Sequence, residues 1–309
     1  MNYRTKLTHS AAEAGSLFCL GIDPILELFP AELRPTGTVL DVSGIDSLVQ
    51  TALDALEERA LRPAAFKPNI GYFSACDRPL QVELSAAQRF SGSMALAKVM
   101  HTVRTRMPGV PVILDSKRGD IARSSRNYAV EAFSCWAADA VTVSPWMGDD
   151  SVRPFMEAAP EGGVYILART SNPGAERFQN RPAPQQPLYR HVVQLVRDLS
   201  PAYPGTGIVV GATAPAELAD VAVALHKAAV PILVPGAGYQ GGTAADVMAV
   251  LRDARYPMEL VRINISSGTL FPWLQDGKAP PDWRRAVQDA VIDAYESTRI
   301  APHRRRPHR

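Results

Sequence analysis

The strongest constraint on the fold is a regular alternation of short apolar runs with amphipathic stretches. Eight runs read as strands, and most are apolar throughout, which is typical of parallel strands covered on both faces. This α/β pattern predicts either a closed (β/α)8 TIM barrel or an open doubly wound sheet. The count of eight and the length of 309 residues favour the barrel. The predicted strands are Leu17–Ile22, Ala64–Pro68, Val112–Asp115, Ala140–Ser144, Val164–Ala168, Ile208–Val210, Ile232–Val234 and Leu260–Ile265.

The stretches between these runs predict the outer helices. We expect a single barrel domain over residues 1–300, followed by a basic, disordered tail over 301–309. The segment 172–187 is rich in Pro and reads either as a surface loop or as a lid over the barrel. The amphipathic stretches are 46–59, 84–106, 125–137, 187–199, 214–228 and 243–254, with a last helix over about 281–298.

Composition excludes several classes of protein. No run of about 18 apolar residues is present, and the N-terminus lacks the apolar core of a signal peptide, so we expect no membrane partner. Cys19, Cys76 and Cys135 are far apart without CxxC spacing, which is typical of a reduced cytoplasmic protein without structural zinc. The net charge of only +2 gives no reason to expect a nucleic-acid partner.

The segment VILDSKRGDI at 112–121 places charged side chains directly after an apolar strand. Asp115 and Lys117 are two residues apart, so on a regular strand they point the same way, and Asp120 follows the Gly119 turn. The segment is either a solvated turn or a charged catalytic cluster. We favour the cluster because of the matching motifs elsewhere in the chain that are given below. Only six of the 33 basic residues are Lys, and Lys, unlike Arg, can release a proton, so a Lys at a strand end is informative. Two of the six, Lys67 and Lys117, stand at strand ends.

Further polar residues follow the other predicted strands, among them Asp23, Ser171 and Gln240. In a barrel these strand ends meet at one mouth, where barrel enzymes hold their active sites. The six histidines lie on predicted helices or at the termini, so neither a His-based triad nor a metal site is expected. Neither GxGxxG after the first strand nor GxxxxGK[ST] is present, which disfavours dinucleotide and nucleoside-triphosphate folds.

These motifs resemble the orotidine 5′-phosphate decarboxylase family, in its longer bacterial branch, from about residue 15 to 270. DxKxxD is shared with metal-using sugar-phosphate relatives, but those have a carboxylate where this chain has Lys67. The resemblance implies cofactor-independent decarboxylation of orotidine 5′-monophosphate to uridine 5′-monophosphate in pyrimidine biosynthesis. The matching segments are FCLGIDP, AFKPN, LDSKRGDI, DAVTVSPWMGDDSVRPF, ILARTSNPGA, VVGATAPAEL and LVPGAGYQGG.

The resemblance also implies the catalytic residues. Lys67, Asp115, Lys117 and Asp120 match the charged array that surrounds the scissile carboxylate in the family. Loss of CO2 from C6 of the pyrimidine leaves a carbanion, which a fixed ammonium can stabilise and protonate, so Lys117 is the expected general acid. Asp115 would face the substrate carboxylate, and the repulsion between them is relieved as CO2 departs.

Substrate-binding residues follow from the same resemblance. Asp23 and Ser124 match ribose ligands, Ser171 matches a pyrimidine ligand and Gln240 matches a phosphate ligand. Asp120 and Ser124 match residues that family members contribute to the neighbouring subunit's site. A homodimer with two shared sites is therefore expected.

The departure from the family pattern that bears on the substrate is at residue 268; Asn69, Ser144 and Trp146 also differ from residues common in this branch, and Ser124 replaces the usual Thr. Gly268 stands in INISSGTLF where the family has the Arg that binds phosphate. Three explanations are open: Arg262 or another Arg substitutes, backbone amides of 236–242 and 266–268 bind the phosphate, or the substrate is a related or unphosphorylated pyrimidine nucleoside of a specialised pathway. An inactive nucleotide-binding relative is a further alternative, disfavoured because clusters of ionised groups without a function are costly.

Overall fold

The computed structural model describes residues 1–34, 42–238 and 241–300. Gln240 and the tail 301–309 lie outside the described residues, so the expectations for them, and the domain boundary at residue 300, stay predictions. The centre of the fold is a sheet of eight parallel strands. These strands are β1 (Phe18–Ile22), β2 (Ala65–Pro68), β3 (Ile113–Arg118), β4 (Ala140–Val143), β5 (Gly163–Arg169), β6 (Thr206–Val210), β7 (Ile232–Pro235) and β8 (Val261–Ile265).

The eight strands close into a barrel. Their order in the sheet is β2-β1-β8-β7-β6-β5-β4-β3, so β2 and β3 are its two ends. Parallel bridges between Phe66 and Val112 and between Asn69 and Asp115 join these two ends. The predicted TIM barrel is therefore confirmed, and each predicted strand overlaps an observed one.

Helices cover the outside of the barrel and account for every predicted amphipathic stretch. The predicted helix 84–106 is divided at Phe90, and four further helices, α1, α7 and the short α3 and α11, were not predicted. The helices are α1 (Tyr3–Ala14), α2 (Ser43–Glu57), α3 (Ile70–Ser74), α4 (Ala86–Arg89), α5 (Ser91–Arg106), α6 (Ala122–Val130), α7 (Asp149–Ala158), α8 (Leu188–Leu199), α9 (Pro215–Leu225), α10 (Ala244–Asp253), α11 (Ser267–Leu270) and α12 (Trp283–Ser297).

Helix α1 closes the end of the barrel at which the strands begin. Tyr3 and Leu7 are buried there in a cluster that includes Tyr165, and the Tyr3 hydroxyl donates to the Tyr165 hydroxyl at 3.1 Å. The fully buried Arg262 donates to the backbone carbonyl oxygens of Leu7 and Ala64 at 2.6 and 3.0 Å. Apolar and polar contacts thus seal this end, and the cavity that remains lies at the opposite end.

The segment 172–187 folds into short ordered pieces rather than an irregular loop. A 3-10 turn spans Pro173–Arg177, and the two-residue strands Pro182–Ala183 and Gln186–Pro187 form a separate antiparallel hairpin. Gln179 ties the segment to the end of β5, because its Oε1 accepts a hydrogen bond from Thr170 N at 2.8 Å. Among the helices of the described ranges, none is long and apolar enough to span a membrane.

Candidate active site

A cavity of about 550 Å³ occupies the end of the barrel at which the strands finish. Five of the predicted site residues line it, and they come from β2, from β3 and from the segments that follow β1 and β5. The pocket is large enough for a nucleotide-sized ligand. The predicted residues in its lining are Asp23, Lys67, Asp115, Lys117 and Ser171.

Asp115 lies between two ammonium groups. Lys67 Nζ donates to Asp115 Oδ2 at 2.7 Å, and Lys117 Nζ donates to Asp115 Oδ1 at 2.7 Å. The Lys67 side chain is only 3% exposed and that of Asp115 only 7%, whereas that of Lys117 is 48% exposed. The cluster therefore has a buried side and an open side, and Lys117 is the ammonium that solvent can reach.

The two buried members of the cluster hold each other in the charged form. Burial raises the pKa of the Asp115 carboxyl, but Lys67 and then Lys117 outweigh burial and bring that pKa well below its usual range. Burial likewise lowers the pKa of the Lys67 ammonium, but Asp115 and then Asp23 outweigh it and raise that pKa above its usual range. Both groups therefore stay ionised at neutral pH although they are buried.

Asp115 and Lys117 meet through a bulge in β3, not through the regular alternation of a strand. Leu114 pairs with Val141 and Arg118 pairs with Val143, so β3 has two more residues than β4 between these pairs. Lys117 has a φ of +48°, in the left-handed region. For a residue other than glycine this conformation costs about 1–3 kcal/mol, so the bulge stores strain beside the cavity.

Asp23 has an unsatisfied oxygen beside the cavity. Its Oδ1 is buried without a hydrogen-bond partner in the described ranges and lies 3.9 Å from Lys67 Nζ. Burial raises the pKa of this carboxyl, and Lys67 opposes the effect. A buried acceptor without a donor is costly, so this oxygen is suited to accept a hydrogen bond from a ligand hydroxyl.

Ser171 lies in the cavity wall just after β5 and is held from two sides. Thr213 Oγ1 donates to the Ser171 carbonyl oxygen at 2.9 Å. Gly211 packs so closely that a Cβ there would lie 2.7 Å from Ser171 Cα. Thr170 and Asn172, its chain neighbours, also line the cavity.

Asp120 and Ser124 lie outside the cavity of their own chain. Asp120 Oδ1 accepts a hydrogen bond from the neighbouring Ile121 N at 2.7 Å, and Ser124 lies in the first turn of α6. Neither side chain lines the cavity. Of the four predicted members of the charged array, one chain thus brings together only Lys67, Asp115 and Lys117.

Another part of the cavity lining is made of small residues from the segments after β7 and β8, which include Gly236, Ala237 and Ser266–Gly268. Among the described lining residues, the only cationic side chains are Lys67 and Lys117, and both contact Asp115. Arg262 does not line the cavity, because its guanidinium donates to backbone carbonyls at the opposite end of the barrel. The explanation that Arg262 replaces the missing Arg is therefore wrong.

Sequence reasoning missed Thr142, a buried β4 residue that lines the cavity and donates from Oγ1 to Asp115 Oδ1 at 2.8 Å. The signal was a single polar residue within the apolar run AVTV. Asn264 on β8 was missed in the same way; its Nδ2 donates to Ser266 Oγ at 3.0 Å. Within the described ranges, no group of three or more His, Cys, Asp or Glu side chains is arranged to hold a metal ion.

Comparison with known proteins identifies the family to which the chain is similar. The pattern of the Orotidine 5′-phosphate decarboxylase / HUMPS family matches residues 16–256. The orotidine 5′-phosphate decarboxylase of Bordetella avium is 39% identical over 94% of this chain and 96% of its own length. That of Variovorax paradoxus is 36% identical over 97% of this chain and 99% of its own length.

A solved structure gives the same result at the level of the fold. The OMP decarboxylase of Leishmania donovani superimposes with a TM-score of 0.70 at 28% identity, covering 97% of this chain and 100% of that one. The family match, the two relatives and this structure all extend over most of the chain. The chain therefore belongs to the orotidine 5′-phosphate decarboxylase / HUMPS family.

Proposed function

We propose that this chain decarboxylates orotidine 5′-monophosphate to uridine 5′-monophosphate, a step of pyrimidine biosynthesis, without a cofactor. The observation that carries the proposal is the position of Asp115, held between the amines of Lys67 and Lys117 at 2.7 Å from each in a nucleotide-sized cavity. Similarity to the orotidine 5′-phosphate decarboxylases of Bordetella avium and Variovorax paradoxus supports the same reaction.

The reaction follows from the charges of this cluster. With the substrate carboxylate placed against the ionised Asp115, two negative charges repel each other until CO2 leaves. The bond from C6 to the carboxyl carbon breaks, and its electron pair stays on C6. Lys117 stabilises this developing charge and transfers a proton to C6, which forms the C6–H bond of the product. The neutral amine of Lys117 then regains a proton from solvent, to which its side chain is 48% exposed.

Lys67 has a positioning and charge-balancing function in this proposal. It is nearly fully buried and contacts Asp115 directly, with Asp23 Oδ1 at 3.9 Å. An ammonium in this place keeps Asp115 ionised before the substrate carboxylate arrives. In this proposal Asp23 Oδ1, which is buried and has no donor among the described residues, accepts a hydrogen bond from a ribose hydroxyl, and Ser171 contacts the pyrimidine ring.

In this proposal the segments after β7 and β8 bind the 5′-phosphate through backbone amides and hydroxyl groups. Ser266, Ser267 and Gly268 line the cavity there, together with Gly236 and Ala237. Gly21 on β1 allows this arrangement, since a Cβ there would lie 1.9 Å from Ser266 Oγ. Gln240 remains a proposed phosphate ligand.

The active unit in this proposal is a homodimer in which Asp120 and Ser124 complete the partner's site. Both residues lie outside the cavity of their own chain. The neighbouring surface includes large exposed apolar side chains, with Ile121 59% and Trp146 54% exposed and a Met147 methyl group against Gly119. Adjoining exposed apolar side chains of this size are typical of an interaction surface.

We also propose a cytoplasmic location and one domain over residues 1–300. The three cysteines are all free, and two of them are buried, which fits a reducing compartment. The main hydrophobic core extends from Ala11 to Tyr295 and so includes both ends of the proposed domain.

A substrate assay tests the proposed function. The purified chain is incubated with orotidine 5′-monophosphate and, separately, with unphosphorylated orotidine, and the CO2 released is measured. Release from the phosphorylated substrate at the higher kcat/KM is expected. CO2 release only from orotidine would indicate a specialised relative, and no CO2 release from either substrate would indicate an inactive nucleotide-binding protein.

A further inference from the structure

Thr142 connects the carboxylate of the catalytic cluster to the backbone of the bulge. Its side chain is buried and its hydroxyl takes part in three hydrogen bonds. It donates to Asp115 Oδ1 at 2.8 Å and accepts from the backbone N–H groups of Ser116 and Lys117 at 3.1 and 3.0 Å. One donor and two acceptor sites are all that a hydroxyl offers, so its hydrogen-bonding capacity is fully used.

This hydroxyl lies where the register between β3 and β4 shifts. The shift falls between the pairs Leu114–Val141 and Arg118–Val143, and Thr142 is the one β4 residue between them. A bulge leaves backbone groups of its extra residues without ladder partners. Thr142 Oγ1 supplies the acceptor for two of them, and Ser116 Oγ donates in return to the Thr142 carbonyl oxygen at 3.3 Å.

The left-handed conformation of Lys117 needs such support. With φ at +48° this residue would relax toward an ordinary strand conformation unless its surroundings prevented it. The hydrogen bond from Lys117 N to Thr142 Oγ1 fixes the backbone on one side, and the ion pair with Asp115 fixes the amine on the other. Thr142 supports both contacts, because its hydroxyl also donates to Asp115, the partner of the Lys117 amine.

We infer that Thr142 is a positioning residue for the proposed decarboxylation. By holding the bulge, Thr142 fixes the position of the Lys117 amine relative to Asp115. The inference rests on the proposed function and adds a residue to it. Thr142 holds the carboxylate and the proton donor in one geometry before the substrate binds. Displacement of a reacting group by about 1 Å can cost on the order of 100-fold in rate.

Thr142→Val and Thr142→Ser test the inference. The Val variant keeps the shape of the side chain and removes all three hydrogen bonds, whereas the Ser variant keeps them. We expect Thr142→Val to lower kcat about 100-fold while KM for orotidine 5′-monophosphate changes less than about threefold. We expect Thr142→Ser to retain kcat. The acidic limb of the pH–kcat profile moves to higher pH in Thr142→Val only, because Asp115 loses a donor that favours its charged form.

Thr206→Val is the matched control. Thr206 is equally buried at the start of β6, and its hydroxyl donates to the Tyr203 carbonyl oxygen at 2.7 Å, outside the cavity lining. This variant loses a buried hydroxyl of the same kind, so it measures how far lost stability alone affects turnover. Its kcat and pH profile are expected to match wild type.

Crystal structures of Thr142→Val and Thr142→Ser separate failure of the inference from failure of the proposed function. If wild type does not decarboxylate orotidine 5′-monophosphate, the proposed function is wrong, and the structures alone decide about Thr142. A Lys117 Nζ to Asp115 Oδ1 distance beyond hydrogen-bond range in the Val variant, with the wild-type distance in the Ser variant, supports the inference. An unchanged distance in Thr142→Val, or equal losses of kcat in the Val and Ser variants, overturns it.

Discussion

The amine of Lys117 lies 2.7 Å from Asp115 Oδ1, and the backbone of Lys117 adopts a left-handed conformation in the bulge that brings the two groups together. This relationship joins a half-exposed ammonium to a buried carboxylate that Lys67 already neutralises from its other side. The carboxylate is therefore kept ionised and fixed, and the ammonium next to it can exchange its proton with solvent. Both properties are needed if Lys117 is to protonate a carbanion formed beside Asp115.

Replacement of Asp115 tests how far the buried ion pair supports the fold. Asp115→Asn leaves the Lys67 ammonium buried with Asp23 Oδ1 at 3.9 Å, so we expect the free energy of unfolding to fall by about 3–5 kcal/mol at pH 7. Urea denaturation measures this change. Asp149→Asn, which removes an exposed pair with Arg153 on α7, is the control and should change stability little.

The pH dependence of this loss follows from the two pKa shifts. The pKa of Asp115 is lowered, so its stabilisation is present above its unfolded pKa of about 3.9 and is lost as the pH falls through the folded value. The pKa of Lys67 is raised, so its stabilisation is present below its unfolded pKa of about 10.4 and is lost as the pH rises through the folded value. The difference between wild type and Asp115→Asn should be constant from about pH 5 to 9 and shrink at lower pH. A difference that grows below pH 4 would contradict the assignment.

Mixing two inactive variants tests the shared site. Lys117→Ala and Asp120→Ala are each expected to be inactive, but their heterodimer has one site with both native residues. Equilibrated in equal amounts, they should recover about one quarter of wild-type activity in a two-fold symmetric dimer. Lys117→Ala mixed with the Lys117→Ala/Asp120→Ala double variant is the control, since no intact site can form. Full activity of Asp120→Ala alone would refute the role of Asp120.

Restoring a cation at position 268 tests where the phosphate binds. A Cβ at Gly268 would meet nothing closer than Ile265 Cγ2 at 3.4 Å, so a longer side chain can be accommodated. Gly268→Arg should bind uridine monophosphate about tenfold more tightly, because hydrogen bonds to charged groups contribute about 1.5–3 kcal/mol. Calorimetric titration measures this, with Gly268→Gln as the uncharged control and uridine as the ligand without phosphate. Unchanged affinity for uridine monophosphate would show that the phosphate lies elsewhere.

The sequence was sufficient to predict the barrel because each strand is an apolar run of its own. Helix α1 was not predicted, although the buried Tyr3, Leu7, Ala11 and Ala14 have helical spacing. Helix α7 was not predicted because Pro154 lies inside it, and proline usually interrupts a helix.

The candidate site was predicted in its residues but not in its geometry. Strand alternation predicted that Asp115 and Lys117 are neighbours, yet they meet through a bulge whose extra residues the sequence does not reveal. Thr142 was overlooked because its function depends on the register between β3 and β4, which is a tertiary property. From the sequence, Arg262 is a candidate phosphate ligand. In the structure its guanidinium donates to backbone carbonyls at the closed end of the barrel, which sequence pattern alone does not reveal.

The most direct measurement is the rate of CO2 release from orotidine 5′-monophosphate by wild type and by Lys117→Ala. Wild type should form CO2 and uridine 5′-monophosphate in equal amounts without an added cofactor. Lys117→Ala should retain the fold, because this side chain is 48% exposed, and should lose at least about 1,000-fold in kcat. Lys98→Ala, which removes another largely exposed ion-paired lysine on α5, should keep the wild-type rate. CO2 release by folded Lys117→Ala at the wild-type rate would contradict the account.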